Sequence, residues 1–313
     1  MSKPGLSLVT GGCGFIGRHL VQTLIDREQA VRVLDINPDP DLFHGQADIW
    51  YGSILDRDML RKVIQDVSMV YHLAAIPHLW TANQSDFQEV NVRGTECVLE
   101  IAQEIGVQRF VYTSSETVLG NWRQKNQTLI DEHTPLPQLH ELPGPYSKSK
   151  LQAEVAVRKA IDRGLPAVVV YPTIPVGAGD SNLTPPTRMI KDFVLGRNPA
   201  YLECTLNLIP VQAVAEGHIA AAENGVVGER YILGQDNMKL SEVLKLLEQI
   251  TGKKMPKRKV NYSSALITAK AMEWTASITG KIPAASVEGV RLAGSNKKFD
   301  CKKAQQELGL PQY

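Results

Sequence analysis

Cysteine is scarce in this chain and scattered where it occurs. Cys13, Cys97, Cys204 and Cys301 share no close spacing over 313 residues, which excludes a CxxC redox pair and gives no zinc pattern. No metal is expected, and a reduced, cytoplasmic protein is the simplest reading. Neither sign of charge is in excess: 34 Lys and Arg stand against 33 Asp and Glu, so no global field recruits nucleic acid. One basic cluster, Lys253-Lys254-Met255-Pro256-Lys257-Arg258-Lys259, breaks the balance locally. Such a cluster can touch a phosphate backbone or an anionic membrane, though a solvated loop is the plainer expectation. Long apolar runs are missing as well. No stretch approaches the roughly 18 residues needed to cross a bilayer, and Leu6-Ser7-Leu8-Val9-Thr10 is too short for a secretion signal. No integral membrane segment is expected, and the expected partner is a small-molecule substrate rather than nucleic acid.

What is present is a repeating pattern. Short β-rich runs at Leu6–Thr10, 30–35, Asp48–Tyr51, 69–73, Arg109–Thr113 and 167–171 alternate with helical stretches at Phe15–Asp26, 56–64, 87–105 and 146–162. Alternation of this kind predicts βαβ units and a parallel sheet. Several runs are apolar throughout, as strands are when helices cover both sheet faces. The fold class that follows is α/β, a Rossmann-type doubly wound parallel sheet. After about Pro172 the pattern changes. Pro, Gly and Thr are frequent through 173–187, followed by helical stretches at 188–195, 211–223 and 241–251. Residues 1–172 are read as the dinucleotide-binding domain, and 173–313 as mainly a small, mostly helical substrate lobe. Segments near 207–209 and 230–233 are expected to return to the main sheet.

The first strand runs into Gly11-Gly12-Cys13-Gly14-Phe15-Ile16-Gly17 and then into a helix. Glycines at 11, 14 and 17 allow a tight turn, close approach of a pyrophosphate and close helix–strand packing, while the helix N-terminus offers free N–H groups to phosphate. The second strand ends at Asp35, about 20 residues further on, where a carboxylate accepts from an adenosine ribose and repels a 2′-phosphate. NAD is therefore favoured over NADP. Asp35 would alternatively cap the turn at Asn37-Pro38.

Pro145-Tyr146-Ser147-Lys148-Ser149-Lys150 opens a helix in which Tyr146 and Lys150, four residues apart, share one face. A phenol of ordinary pKa about 10 is a poor base near neutrality. A nearby ammonium favours the phenolate, which lets the tyrosine exchange a proton with a carbinol or carbonyl oxygen. Thr113-Ser114-Ser115 ends a strand, where doubly wound sheets bind ligands, and a hydroxyl there can orient the substrate oxygen.

With Thr10 through Gly17, His72-Leu73-Ala74-Ala75, Asn91-Val92-Arg93-Gly94-Thr95, Val111-Tyr112-Thr113-Ser114-Ser115 and Tyr146 through Lys150 taken together, the chain resembles the extended short-chain dehydrogenase/reductase family over essentially its full length. The resemblance implies a catalytic set of Ser115, Tyr146 and Lys150. It implies a cofactor lined by Gly11, Gly14, Phe15, Ile16, Gly17, Asp35, Ile36, Ser53, Ile54, Leu73, Ala74, Ala75, Asn91, Thr113, Tyr146, Lys150, Pro172 and Ile174. Members usually carry an Asp-Ile pair against adenine after the third strand, where this chain has Ser53-Ile54. A homodimer through the two helices that include the Tyr146 helix is a further expectation from the resemblance.

Nucleotide-sugar members carry an asparagine at the strand end where this chain has Ile174, and a cation where it reads Leu206 through Ala213 without one. Tyr171-Pro172-Thr173 with Pro175-Val176-Gly177 is similar to dihydroflavonol-reductase-like and 3β-hydroxysteroid-dehydrogenase-like members. Pro199-Ala200-Tyr201, Ala215-Glu216-Gly217-His218 and Glu229 through Gly234 resemble hopanoid-associated sugar epimerases. The residues favour redox chemistry on a relatively apolar ketone or secondary alcohol, with His78, Trp80 and Ser115 as candidate substrate contacts. A nucleotide-sugar epimerase or dehydratase holding NAD tightly is the alternative, and a non-catalytic nucleotide sensor ranks third because Ser115, Tyr146 and Lys150 are all present.

Overall fold

A computed structural model describes residues 5–122 and 129–311. Strands β1 (Leu6–Thr10), β2 (Val31–Asp35), β3 (Asp48–Tyr51), β4 (Val67–His72), β5 (Arg109–Thr113) and β6 (Ala167–Pro172) alternate with helices α1 (Phe15–Asp26), α2 (Arg57–Ile64), α3 (Thr95–Ile105) and α4 (Pro145–Asp162). There follow β7 (Ile174–Val176), β8 (Ala200–Leu202), β9 (Thr205–Pro210), β10 (Arg230–Leu233), β11 (Asp236–Lys239) and β12 (Arg258–Val260). Their helices are α5 (Pro185–Val194), α6 (Val211–Asn224), α7 (Leu240–Thr251), α8 (Tyr262–Thr279), α9 (Val287–Ser295) and α10 (Lys302–Leu308).

The main sheet has seven parallel strands in the order β10-β6-β5-β4-β1-β2-β3. Strands such as β6 are buried along their whole length, because a core lies on each face. One core packs Leu60, Val98, Ile101 and Val157 of α2, α3 and α4 against the sheet. The other packs Leu20, Leu24, Val214 and Ile219 of α1 and α6. The crossovers reverse direction between β1 and β4, and at that switch point the strand ends open a crevice.

The chain departs from sequence expectation in two places. Residues 207–209 do not return to the main sheet. They lie in β9, which pairs with β7 and β11 in a separate three-stranded sheet. The edge beside β6 is already taken by β10, with Arg230 opposite Val169, so β9 has no partner there. The second departure is the helix expected over 87–105, which is two elements: Phe87–Gly94 is a π-helix and only Thr95–Ile105 is α. Its wider turn brings Asn91 to the loop after β4, where its Oδ1 accepts from Ile76 N at 2.7 Å.

The lobe has a small core of its own, in which Phe193, Tyr201, Leu206, Leu240 and Val243 meet, and it contains α5, α7, α8, α9 and two small sheets. All four cysteines are buried and unbonded.

The glycine loop tolerates little change. A Cβ on Gly17 would sit 2.2 Å from the Gly11 carbonyl oxygen and 2.7 Å from Gly12 Cα, both backbone atoms that cannot rotate away. Gly17→Ala is expected to destabilise the fold by about 1–3 kcal/mol, the cost of overpacking, measured by urea unfolding; unchanged stability would show that the helix can withdraw from the strand.

Candidate functional site

The C-terminal ends of β1, β2, β4, β5 and β6, the start of α1, the face of α4 and parts of the lobe enclose one cavity of about 1850 Å³. That exceeds the 300–1,000 Å³ or so of an ordinary small-molecule site and leaves room for a dinucleotide and a second molecule. At one end, Gly11 has φ +72° and lies so close to β4 that a Cβ would meet Ala74 N at 2.8 Å. No side chain caps α1, so its first N–H groups face the cavity with the positive end of the helix dipole. Gly11, Gly14, Phe15, Ile16, Gly17, Asp35, Ile36, Ser53, Ile54, Leu73, Ala74 and Ala75 all line this end. A cradle that side chains would fill, with uncapped donors and a carboxylate beside it, fits a dinucleotide.

Asp35 makes the turn cap that its sequence position allowed and adds a contact to the glycine loop. One carboxylate oxygen accepts from Cys13 N in the glycine loop at 3.0 Å, and the other accepts from Asn37 N at 3.0 Å. It therefore caps the turn and braces the loop while lining the cavity. Arg32 leads away from the cavity, pairing with Asp48 at 2.7 Å. Ser53 Oγ accepts from Leu55 N at 3.2 Å and so closes its own turn.

The catalytic residues expected from sequence meet at the centre. Lys150 is buried; its Nζ donates to the Thr113 carbonyl at 2.6 Å and lies 4.8 Å from the centre of the Tyr112 ring. Burial pushes the ammonium down to about 7, and Glu154 partly offsets that. Tyr146, one turn earlier on α4, meets Phe87 edge-on with ring centres 6.2 Å apart. Burial raises its phenol pKa, a side-chain hydrogen bond with Ser115 opposes the rise, and Glu116 and Glu288 add to it. Ser115 Oγ accepts from Thr117 N at 3.3 Å and donates to Glu116 Oε2 at 3.0 Å. Thr113, Pro172 and Ile174 complete the wall at the strand ends.

Buried polar contacts hold this set from behind. His218 Nδ1 lies 2.7 Å from the Val214 carbonyl, which can only accept, so the neutral ring turns Nε2 as acceptor to Thr113 Oγ1 at 2.8 Å. Glu154 accepts from Ser114 Oγ at 2.9 Å and Tyr171 OH at 2.6 Å. Glu288 of α9 accepts from Tyr146 N and Ser147 N at 3.0 and 2.9 Å, capping α4.

Two of the sequence-expected contacts lie elsewhere. Asn91 does not line the cavity: it is buried and donates to Ser149 Oγ at 2.9 Å, so it joins the β4 loop to α4 from behind. Trp80 is likewise off the lining, where the loop presents His78 and Leu79 instead. Sequence reasoning missed Glu116, which lines the cavity next to Ser115 and whose carboxyl is pushed up to about 8 by burial. It also missed Lys297, which lines the cavity with its buried ammonium 4.3 Å from the centre of the Trp122 ring. Among the described residues, neither Lys297 Nζ nor Trp122 Nε1 has an acceptor. The Lys297-Lys298 pair gave no signal, because a lysine beside another reads as solvated surface.

Lys150 titrates at about 7 when folded and at its ordinary 10.5 when unfolded. Above about pH 7 the unfolded chain therefore binds the extra proton, so this group's contribution to stability rises with pH towards 10.5. Wild type is expected to gain stability relative to Lys150→Met by up to about 1.4 kcal/mol per pH unit from pH 7 to 9, as read by denaturant unfolding at each pH; a constant gap would place the ammonium in water.

Residues 8–225 match the 3-beta hydroxysteroid dehydrogenase/isomerase family. A protein of Synechocystis sp. named for dihydroflavonol 4-reductase is 35% identical, covering 97% of this chain and 89% of that one. The 4-hydroxy-2-methyl-3-oxo-4-farnesyl-3,4-dihydroquinoline-1-oxide ketoreductase of Stigmatella aurantiaca is 32% identical over 97% of this chain and 91% of its own. Among solved structures, gox2253 superposes with a TM-score of 0.84 at 36% identity, covering 98% of this chain and 93% of that one. With the glycine loop after β1, Tyr146 and Lys150 on α4, and a seven-stranded parallel sheet between two layers of helices, the chain belongs to the 3-beta hydroxysteroid dehydrogenase/isomerase family of NAD-dependent extended short-chain dehydrogenases/reductases.

Proposed function

We propose that the chain is an NAD-preferring ketone reductase or secondary-alcohol dehydrogenase acting on a relatively apolar substrate. The observation that carries the reading is the wall beyond Tyr146, where Ile174, Met189, Phe193, Leu206, Met272 and Leu292 face the cavity. A desolvated diphosphate needs charge-assisted donors; these six side chains have none, and besides Lys150 the cations on the rest of the lining are Arg18, Arg258 and Lys297. The Stigmatella relative, whose name describes a ketoreductase acting on a farnesyl-bearing ring, is in line with an apolar ketone.

When bound, nicotinamide would supply or accept the hydride at the carbon of the carbon–oxygen bond. Tyr146 handles the proton: its phenol donates to the oxygen as a carbonyl is reduced and recovers the proton as an alcohol is oxidised. Ser115, in hydrogen-bonding contact with that phenol, orients the same oxygen. Lys150, anchored on the Thr113 carbonyl, offers its ammonium to the nicotinamide ribose. Glu288 fixes where Tyr146 begins. The unpartnered donors of Lys297 and Trp122 suit a substrate that carries an acceptor oxygen away from the reacting carbon.

Purified enzyme with NADH and an apolar ketone should show stoichiometric loss of nicotinamide absorbance. Tyr146→Phe is expected to reduce turnover by about 10²–10⁴-fold, the usual worth of a positioned acid or base; turnover untouched by that change would remove the proton role. No net absorbance change, with NAD released only on denaturation and a nucleotide sugar epimerised, would overturn the reading in favour of an epimerase.

Asp35 supports the choice of NAD. Asp35→Ala removes a carboxylate that would face a 2′-phosphate, and like charges brought together are strongly disfavoured. The ratio of kcat/KM for NADH to that for NADPH should fall by about tenfold or more; an unchanged ratio would show that Asp35 only braces the loop.

A further inference from the structure

Helix α8 is apolar on two opposite sides. Its inner side buries Ala269 and Ala276, and the adjoining shoulder sends Ala265, Thr268 and Met272 to the cavity wall. Its outer side carries Ile267, Ala271, Trp274 and Ile278, spaced so that about 100° per residue brings all four onto one stripe. Ile267, Trp274 and Ile278 are 69%, 68% and 67% exposed, and Ile282 beyond the helix is 48% exposed. Single exposed apolar residues need no explanation, but a row of them on one helix face marks an interaction surface.

The charges nearest that row along the chain are mostly basic. Lys270 lies within one turn of Ile267 and Trp274, Lys281 follows the helix end, and the chain enters α8 directly from the 253–259 cluster. Lys253, Lys254, Lys257, Lys270 and Lys281 are exposed, and so is Arg258, which also lines the cavity. Lys259 is paired with Glu203 at 2.7 Å, and the other six have no salt-bridge partner among the described residues. The helix's one acid, Glu273, is turned inward and accepts from Val287 N at 2.7 Å.

We infer that the outer face of α8, with the 253–259 cluster, docks peripherally on an anionic lipid surface. The apolar stripe would enter the boundary between headgroups and acyl chains, Trp274 would sit at that depth, and the cations would meet phosphate. Cation complementarity selects this occupant. A two-fold pairing with a second copy would bring the same patch against itself, placing two predominantly cationic segments together. Docking also sets α8, one wall of the cavity, against the bilayer, close to a substrate that partitions into lipid.

Vesicle binding by the full chain tests this without any substrate, so it can fail while ketone reduction stands, and the reverse. The chain should sediment with vesicles of equimolar phosphatidylcholine and phosphatidylglycerol, sediment less as salt is added, and sediment poorly with phosphatidylcholine alone. Combining Ile267→Ser, Trp274→Ser and Ile278→Ser should weaken binding by about tenfold or more. Combining Lys253→Gln, Lys254→Gln and Lys257→Gln should remove the preference for anionic vesicles. Tryptophan emission should shift to the blue on binding, and Trp274→Phe should abolish the shift. Failure to sediment with anionic vesicles, or binding unaffected by the three serine changes in a variant of wild-type circular dichroism, would overturn the proposal. So would a wild-type dimer that those changes convert to monomer while neither form binds vesicles.

Discussion

Glu288, on α9 of the lobe, reaches across to accept from Tyr146 N and Ser147 N at the start of α4, and the position of Tyr146 depends on that contact. The first N–H groups of a helix lack partners within it, and a carboxylate there satisfies them while meeting the positive end of the dipole. Gly144 makes the approach possible, since a Cβ on it would lie 2.2 Å from Glu288 Oε2. One buried carboxylate thus joins the lobe to α4. Residues far apart in the chain become a single site because neither end of the contact can be satisfied by water.

Behind the helix a second constraint operates, the burial of charge. Lys150 is an ammonium taken out of water, stabilised by the Thr113 carbonyl and the face of Tyr112. The nearby buried carboxylate, Glu154, is itself held by Ser114, Tyr171 and Arg158. Desolvation is expensive for both ions, so each is surrounded by partners, and those partners fix the ends of β5 and β6. The strand ends that present Ser115 and Pro172 are therefore placed by the same groups that make Lys150 tolerable. His218, held neutral by burial, extends this bracing to α6.

Much of this was legible in the sequence for local reasons. Glycines at 11 and 17, after an apolar strand and before a helix, mark backbone too tightly approached for a side chain, and the spacing of Tyr146 and Lys150 places them on one face of a helix. Asn91 was visible as part of a motif, but its role in bracing the β4 loop against Ser149 depends on a π-turn that periodicity does not reveal. Strand β9 was misplaced because nothing local says that β10 already occupies the edge beside β6. Glu116 and Lys297 were invisible, since a carboxylate after two serines and a lysine in a pair both look like solvated surface.

The sequence by itself determined the βαβ repeat, the dinucleotide loop, the carboxylate at the end of β2 and the tyrosine–lysine pair, because each is set by interactions within a few turns of chain. Only the tertiary structure decided which ions lose water, which strand takes the free edge, which face of α8 stays uncovered and that Glu288 should cap α4. Those outcomes depend on burial and on long-range contacts, and burial exists only once the two halves of the chain have closed on each other.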